Sequence, residues 1–470
     1  MDESGKVTPK DGVSGSTKIK IEDITNGYET YFTVIVNKLE NTDTVTYIYS
    51  ANDMVSFRDA VNAGDNYTGK SVYVMADIDL STVCSSTLGS WTPIGSTGIN
   101  FAGTFDGNYH TISNLYIYNN TNKYVGLFSV TDSSVIKNVI LNNAYVYCYN
   151  NGDCNTGGIA GGTINASINN CMVMGNVIGR HPVGGIVGIA SGGTIVSCIN
   201  KATVKAMYIN STLPGVVGGI AGMVSGLVQI DSCYNLGQIT ANSSSSNSVG
   251  GIIGHISSKT STSSSVKNCY NIGKTTVAYN KGGIVGTGTR MSFSNNYWLS
   301  GCGATYGRAE SKSNSGAASV TAANLKTYTS KLGKLYEDDN FNINSSYPIL
   351  WWQVPTIELN KKQEYIKVRE ELQLRIIQNE AVTTVFADEI DTSSFVWSST
   401  NEDVATVNEN GLVTGVSEGY TTVYGYYFHS CRRPWLRSDQ ATPDSGQTPH
   451  PYLPQSPFLH KPQRCYSGSR

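Results

Sequence analysis

The chain is poor in charge. Among its 470 residues, 33 Lys and Arg stand against 35 Asp and Glu, 14% in all, where an average soluble chain carries roughly 25%. A net charge of −2 provides no basic stripe to neutralise a phosphate backbone, and there is no acidic tail, so nucleic acid is not an expected partner. No apolar run approaches about 18 residues; the nearest, Gly215 to Ile230, is broken by glycines, which excludes a transmembrane helix. The opening MDESGKVTPKDG has neither the charged nor the apolar region of a signal peptide, so either the protein is cytoplasmic or the chain lacks its true start. Ten cysteines are too sparse for a disulfide-stapled scaffold. Proline is also scarce, at 13, whereas Gly reaches 49 and Tyr 29. That profile suits a glycine-punctuated all-β chain rather than a coiled coil rich in Ala, Glu, Lys and Leu.

What is present is a repeat. A Gly-Gly-Ile element recurs as GGIAG at Gly157, VGGIVG at Val183, VGGIAG at Val217, VGGIIG at Val249 and GGIVG at Gly282, with YVGLFS at Tyr124 as a diverged copy. Aligning Gly126, Gly158, Gly185, Gly219, Gly251 and Gly283 gives intervals of 32, 27, 34, 32 and 32. Between these elements a Cys follows a small polar residue: Asn170-Cys171, Ser197-Cys198, Ser232-Cys233 and Asn268-Cys269, with Asn296-Tyr297 in the equivalent place of the last repeat. Each repeat reads as short β segments joined by Gly, Asn or Ser turns, and such a unit buries its apolar face only by stacking on neighbours. Coils of this length made of short parallel strands predict a right-handed parallel β-helix, a solenoid with short capping helices, in which each landmark becomes a column. The cysteine column is expected to pack as small buried apolar groups. No C-x-x-C pair occurs, and Cys148 and Cys154 have no nearby His in sequence to complete a zinc set.

Residues 124 to 300, through GGI(A/V/I)G and (N/S)C(Y)N, resemble the GLUG-motif repeats of large bacterial surface proteins, including stalk regions of some immunoglobulin A proteases. After Pro355, Val396-Trp397-Ser398-Ser399, Val404-Ala405-Thr406-Val407, Gly411-Leu412-Val413-Thr414-Gly415 and Gly419 resemble the bacterial immunoglobulin-like group 2 domain, a small β-sandwich. Trp397 is expected in its core, with Asn410-Gly411 as a hairpin turn.

These readings divide the chain into 1–45, the end of a preceding β-domain or linker; 46–123, an N-terminal cap and opening coils; 124–310, the repeat β-helix; 311–354, a C-terminal cap; 355–427, the immunoglobulin-like domain, lacking its last strand; and 428–470, a disordered tail. In the first cap, Asn52 to Ala63 predicts a helix with Asn52 as N-cap, Phe57, Ala60 and Val61 on its apolar face and Gly64 as its stop. Val320 to Gly333 predicts a short helix leading to YPILWWQ at Tyr347. The tail holds 7 of the 13 Pro and 5 of the 11 Arg and reads as foreign to the family, as a shifted reading frame would make it, or as a disordered linker.

A β-helix enzyme acting on polysaccharide needs paired carboxylates about 5 to 10 Å apart. From Gly126 to Ser300 the acids are Asp132, Asp153 and Asp231, at three different offsets from their repeat glycines. The best acid group lies earlier, in Asp77, Asp79 and Asp106 with His110; Asp77 and Asp79 share a strand face, and such an oxygen-rich set suits Ca²⁺. The plain alternative is that Asp106-Gly107-Asn108 is a turn and the strand acids are solvated. No His is followed by Glu, so the H-E-x-x-H helix of a zinc protease is absent, as are a G-x-S-x-G elbow and a Walker loop.

The expected function is therefore non-enzymatic: a secreted or cell-surface adhesin or stalk, a monomeric piece of a larger chain with no cofactor. The resemblance implies binding to host or bacterial surface glycans or proteins, through inserts such as Ala206 to Val216 and Ala241 to Val249. Tyr145 to Tyr149 offers rings for sugar stacking, or ordinary strand aromatics. The alternatives are a polysaccharide-degrading β-helix enzyme and a passive spacer.

Overall fold

The computed structural model describes residues 15–22, 29–36 and 39–427, apart from 96–97, 120, 150–153, 208–214, 242–246, 277–279, 289, 340–341, 355–356, 360–368, 370, 374–375 and 379–394. Two compact units are Met1–Tyr427 and Phe428–Arg470. The second, and with it the expectation of a foreign tail, lies outside the described residues.

Strands Gly15–Glu22 and Glu29–Val36 pair antiparallel. From Val45 to Val320 the chain winds as a parallel β-helix, with one sheet of 18 strands and one of 13. A coil is well seen at Val183–Gly184, Val187–Val196, Ile199–Asn200 and Thr203–Ala206, and its strands pair in parallel with those of the coils on both sides.

The recurring glycines are the corners. The register pairs Gly157, Gly184, Gly218, Gly250 and Gly282 in one column. A Cβ on Gly184, Gly218 or Gly250 would strike the carbonyl oxygen of Val187, Ala221 or Ile253, three residues on, so a side chain here would break the corner. The diverged copy is one residue shorter: Val125 pairs with Thr156 but Phe128 with Ala160, leaving one glycine where later coils have two.

The second corner turns on a residue in the left-handed region, where Asn and Ser are tolerated. Asn138, Asn170, Ser197, Ser232, Asn268 and Asn295 all adopt φ of 52–57°. In the last of these coils the landmark differs by one residue from the spacing-based alignment. Tyr297 pairs with Tyr270, so Asn295 takes the turn and Asn296 enters the cysteine column in place of a thiol. The Asn296 amide replaces the sulfur: its Oδ1 accepts the Cys269 N–H at 3.1 Å and its Nδ2 donates to the Val266 carbonyl at 3.0 Å.

Inside, Cys171, Cys198, Cys233 and Cys269 are buried free thiols among Ile and Val. Beside them runs a buried amide ladder. Asn200 donates to Asn235 Oδ1 at 2.6 Å and Asn235 to Asn271 Oδ1 at 2.7 Å, each Nδ2 also reaching a carbonyl two residues on. The ladder lies against Gly185, Gly219 and Gly251, so the second glycine of each corner makes room for an amide whose hydrogen bonds are met.

The first helix spans Ala51–Asn62 and is capped by Ser50, two residues before the expected Asn52. Ser50 Oγ accepts the Asp53 N–H at 3.2 Å, while the Asp53 carboxylate accepts from Ser50 Oγ and the Tyr49 N–H. This reciprocal pair outcompetes a cap that starts two residues later. Phe57 packs among Tyr67, Phe101 and Phe105 of the opening coils.

At the other end, Ala317–Val320 pairs with Asn296–Leu299 as the last rung. The expected single helix is instead two one-turn helices, Ala322–Leu325 and Thr329–Leu332, because the chain breaks between them to bury both Leu325 and Leu332 in one cluster. That cluster is not at the end of the solenoid. Residues 321–354 run back along its outside, laying Tyr336, Leu350 and Trp352 over Ile140, Met172, Ile199, Tyr234 and Tyr270. The C-terminal cap thus acts largely as a lateral strap.

Beyond it, all pairings are antiparallel: Ile357–Leu359 with Ile376–Gln378, Glu371–Gln373 and Ala405–Val407 with Leu412–Gly415, and Phe395–Ser399 with Val423–Tyr427. Trp397 packs on Ala405 and Val413, and Gly411 at φ 77° turns the hairpin.

Candidate functional site

The acids singled out from the sequence do not converge. Asp77 accepts the Thr111 N–H at 2.7 Å and lies 3.3 Å from His110 Nδ1; the His110 contact holds its carboxyl below the usual range. Asp79 accepts from Asn114 Nδ2 at 2.8 Å and from the Ser81 N–H, both lowering its carboxyl likewise. Asp106 is buried, accepting from Asn138 Nδ2 at 2.9 Å and the Asn108 N–H, and paired with Lys137 at 3.0 Å. Among the described residues no group of three or more His, Cys, Asp or Glu side chains is placed to hold a metal ion.

Two of these carboxylates, Asp79 and Asp106, share another arrangement with Asp231. Each of the three begins a ladder of left-handed asparagines: Asp79 to Asn114 to Asn143, Asp106 to Asn138 to Asn170, and Asp231 to Asn268 to Asn295. An amide ladder leaves its first Nδ2 without an acceptor, and an acceptor-only carboxylate completes it. Asp106 and Asp231 stand in the same column, each followed one coil later by its ion-pair partner, Lys137 or Lys267. Nothing in the repeat spacing had joined them, since Asp106 precedes the first repeat glycine. Asp153 lies outside the described residues, as do the tips of both long inserts, 208–214 and 242–246.

Among the described residues, the other polar groups that cluster are few. Burial lowers His255, which meets Thr287 Oγ1 at 2.7 Å; Thr287 in turn meets Ser248 Oγ, but that hydroxyl donates to the Gly254 carbonyl, so no nucleophile–base pair forms. A polar cleft of about 450 Å³ near Asn66, Asn100 and Ser133 contains one acid, Asp132. Cys148 and Cys154, which have no nearby His in sequence, are joined to each other. The bond ties the end of strand Ile140–Cys148 to Cys154, six residues on.

The feature that stands apart is aromatic. Tyr116 and Tyr118 on one strand lie beside Tyr145 and Tyr147 on the next, all pointing outward because Ile117 and Val146 between them point in. Tyr116–Tyr145 centroids are 5.4 Å apart with planes 10° from parallel, Tyr118–Tyr147 are 5.1 Å and 6°, and Tyr145–Tyr147 are 6.1 Å and 2°. Tyr149 leans against Tyr118 at 4.7 Å and Tyr147 at 5.7 Å. Tyr118 is 47% exposed and the other four are partly exposed. The disulfide clamps the end of this strand.

Comparison with known proteins bears on two regions. Residues 354–425 match the family model of the bacterial Ig-like domain (group 2). Halomucin of Haloquadratum walsbyi (strain DSM 16790 / HBSQ001) is 30% identical over 207 residues, 40% of this chain and 2% of halomucin. An IgA1 protease structure aligns with 64% of this chain and 24% of its own at 18% identity and a TM-score of 0.43. The chain therefore spans a small part of each relative it matches, and the segment after the β-helix is a bacterial Ig-like domain of group 2.

Proposed function

We propose that this chain is a structural, non-enzymatic part of a secreted or cell-surface protein: a GLUG-type β-helical stalk, joined to an immunoglobulin-like module, that presents binding faces to molecules on host or neighbouring cells. The observation that carries this reading is the pairing of a solenoid with a bacterial Ig-like domain of group 2 at residues 354–425. Three further features support it. The 207-residue likeness to halomucin falls on a protein whose name marks it as mucin-like. A Cys148–Cys154 disulfide belongs to an oxidising compartment. Asp79, Asp106 and Asp231 are committed to amide ladders rather than aimed together at a substrate.

The test is to label intact producing cells with antibody against this chain, before and after treatment with an external protease. Labelling of intact cells, or of the surrounding medium, that the protease removes is the expected result. Labelling that appears only after lysis would overturn the reading.

A further inference from the structure

We propose that the face made by Tyr116, Tyr118, Tyr145, Tyr147 and Tyr149 is a binding platform for an extended, uncharged polysaccharide. This rests on the reading of the chain as a surface protein that binds surface molecules, and names the ligand class for one face.

The geometry of the rings comes first. Near-parallel planes with centroids 5.1 and 5.4 Å apart are wider than the roughly 3.5–4.0 Å of closely packed carbon atoms, and with Tyr118 47% exposed and the other four partly exposed, ring surface stays open to solvent. Two rungs along the solenoid and two positions along the strand make a grid, which Tyr149 extends. Pyranose rings have the complementary form: C–H-rich faces that lie on aromatic rings, and a rim of hydroxyls that seek neutral donors and acceptors. The phenol hydroxyls supply some of these. The same columns supply more in the coils that follow, since Tyr145 is succeeded by Asn176 and Thr203, and Tyr147, beyond Ile178 and Lys205, by Thr240 and Thr276.

Charge narrows the ligand. Lys205, two coils beyond Tyr147, is the one charged residue in these two columns among the described residues. An anionic polymer would find no cluster of cations here, whereas an uncharged one loses no ionic hydration on docking. The platform is also pre-ordered. Its strand Ile140–Cys148 is paired on both sides, with Tyr116–Asn119 and with Met172–Gly179, so little chain entropy remains to be lost on binding. A second copy of the chain fits less well, because five partly covered rings offer roughly half of the ~800 Å² per partner that a standard protein interface buries.

The test is native affinity electrophoresis of the full chain in gels containing hydroxyethyl cellulose, xyloglucan, galactomannan or mixed-linkage β-glucan, with heparin and hyaluronate as charged counterparts. At least one neutral polymer is expected to retard the protein. The double variant Tyr118→Ala/Tyr147→Ala should then need about tenfold more polymer for the same retardation, whereas Tyr118→Phe/Tyr147→Phe, which keeps the rings, stays within about threefold. If the alanine pair disturbs folding, as a thermal melt would reveal, Tyr118→Ala alone replaces it with the same direction expected. Absence of retardation by every neutral polymer, retardation by the charged ones alone, or equal retardation of parent and alanine variant overturns the proposal. So does self-association in sedimentation that the alanine pair abolishes, since that assigns the face to a second copy. Cell labelling decides the surface reading separately, and a failure there leaves the gel result standing.

Discussion

Two tyrosine stacks lie on the outer side of the same 13-stranded sheet, and they have opposite fates. Tyr234 and Tyr270, 4.6 Å apart and 8° from parallel, are wholly buried under residues 321–354. Their hydroxyls are taken up by Gln353 Oε1 at 2.7 Å and the Pro348 carbonyl at 2.6 Å. Tyr118 and Tyr147 form a similar pair in earlier coils, in a column farther along the coil, and remain partly open to solvent. Stacking is thus a property of the repeat, which places like residues one above another. Covering is a property of where the chain goes next. The strap turns one stack into a core, and the other stays available as a surface.

The largest test of this contrast is the anchor of the strap. Trp352 stacks on Tyr109 at 5.7 Å and donates Nε1–H to the Ser197 carbonyl at 3.1 Å. Trp352→Ala is expected to lose about 3–5 kcal/mol, read in urea melts, with residues 321–354 cut faster by protease. An unchanged melt would mean that the strap does not hold the covered face.

A smaller effect comes from alkali. Burial raises the phenols of Tyr234, Tyr270 and Tyr336, and pushes Tyr109 up to about 12. Below pH about 10 these phenols are protonated whether the chain is folded or unfolded, so the stabilisation is complete. Above it, the unfolded state releases protons that the folded state keeps, and stability falls by about 1.4 kcal/mol per pH unit for each phenol. Phenolate absorbance followed against urea from pH 9 to 12 measures this slope, and a flat profile would contradict burial of the stack.

The smallest effect is expected on the open face. Tyr118→Ala should change folding stability by about 0.5 kcal/mol or less, because that side chain is 47% exposed. A loss of about 2 kcal/mol in the same urea melt would show that the platform serves the fold rather than a ligand.

Much of the solenoid could be read from the residues themselves. The double glycines fall at corners where a Cβ would meet a carbonyl, and the landmark cysteines line up as buried thiols, because a β-helix turns linear spacing directly into vertical columns. The misreadings have local physical causes. Asn296 was displaced by one position because an amide does the work of a thiol there. Ser50 rather than Asn52 caps the first helix because Asp53 answers it, a reciprocity that residue type alone does not rank. Cys148 and Cys154 carry no sign of pairing until the fold brings their sulfurs together. Asp79 and Asp106 each accept from an asparagine one coil later, an arrangement that the spacing of the acids alone does not display.

The sequence by itself determined the coil: its period, its glycine corners, its left-handed Asn and Ser turns and the identity of each column. These depend on residues about 30 positions apart that repeat the same local chemistry. Only the tertiary structure decided which tyrosine stack is covered and which is free, and that Asp106 and Asp231 do one job. The covering contact joins Trp352 to Ser197 across 155 residues, and no periodic pattern encodes the path between them. It is set by the apolar area that the returning strap buries once the coils are already stacked.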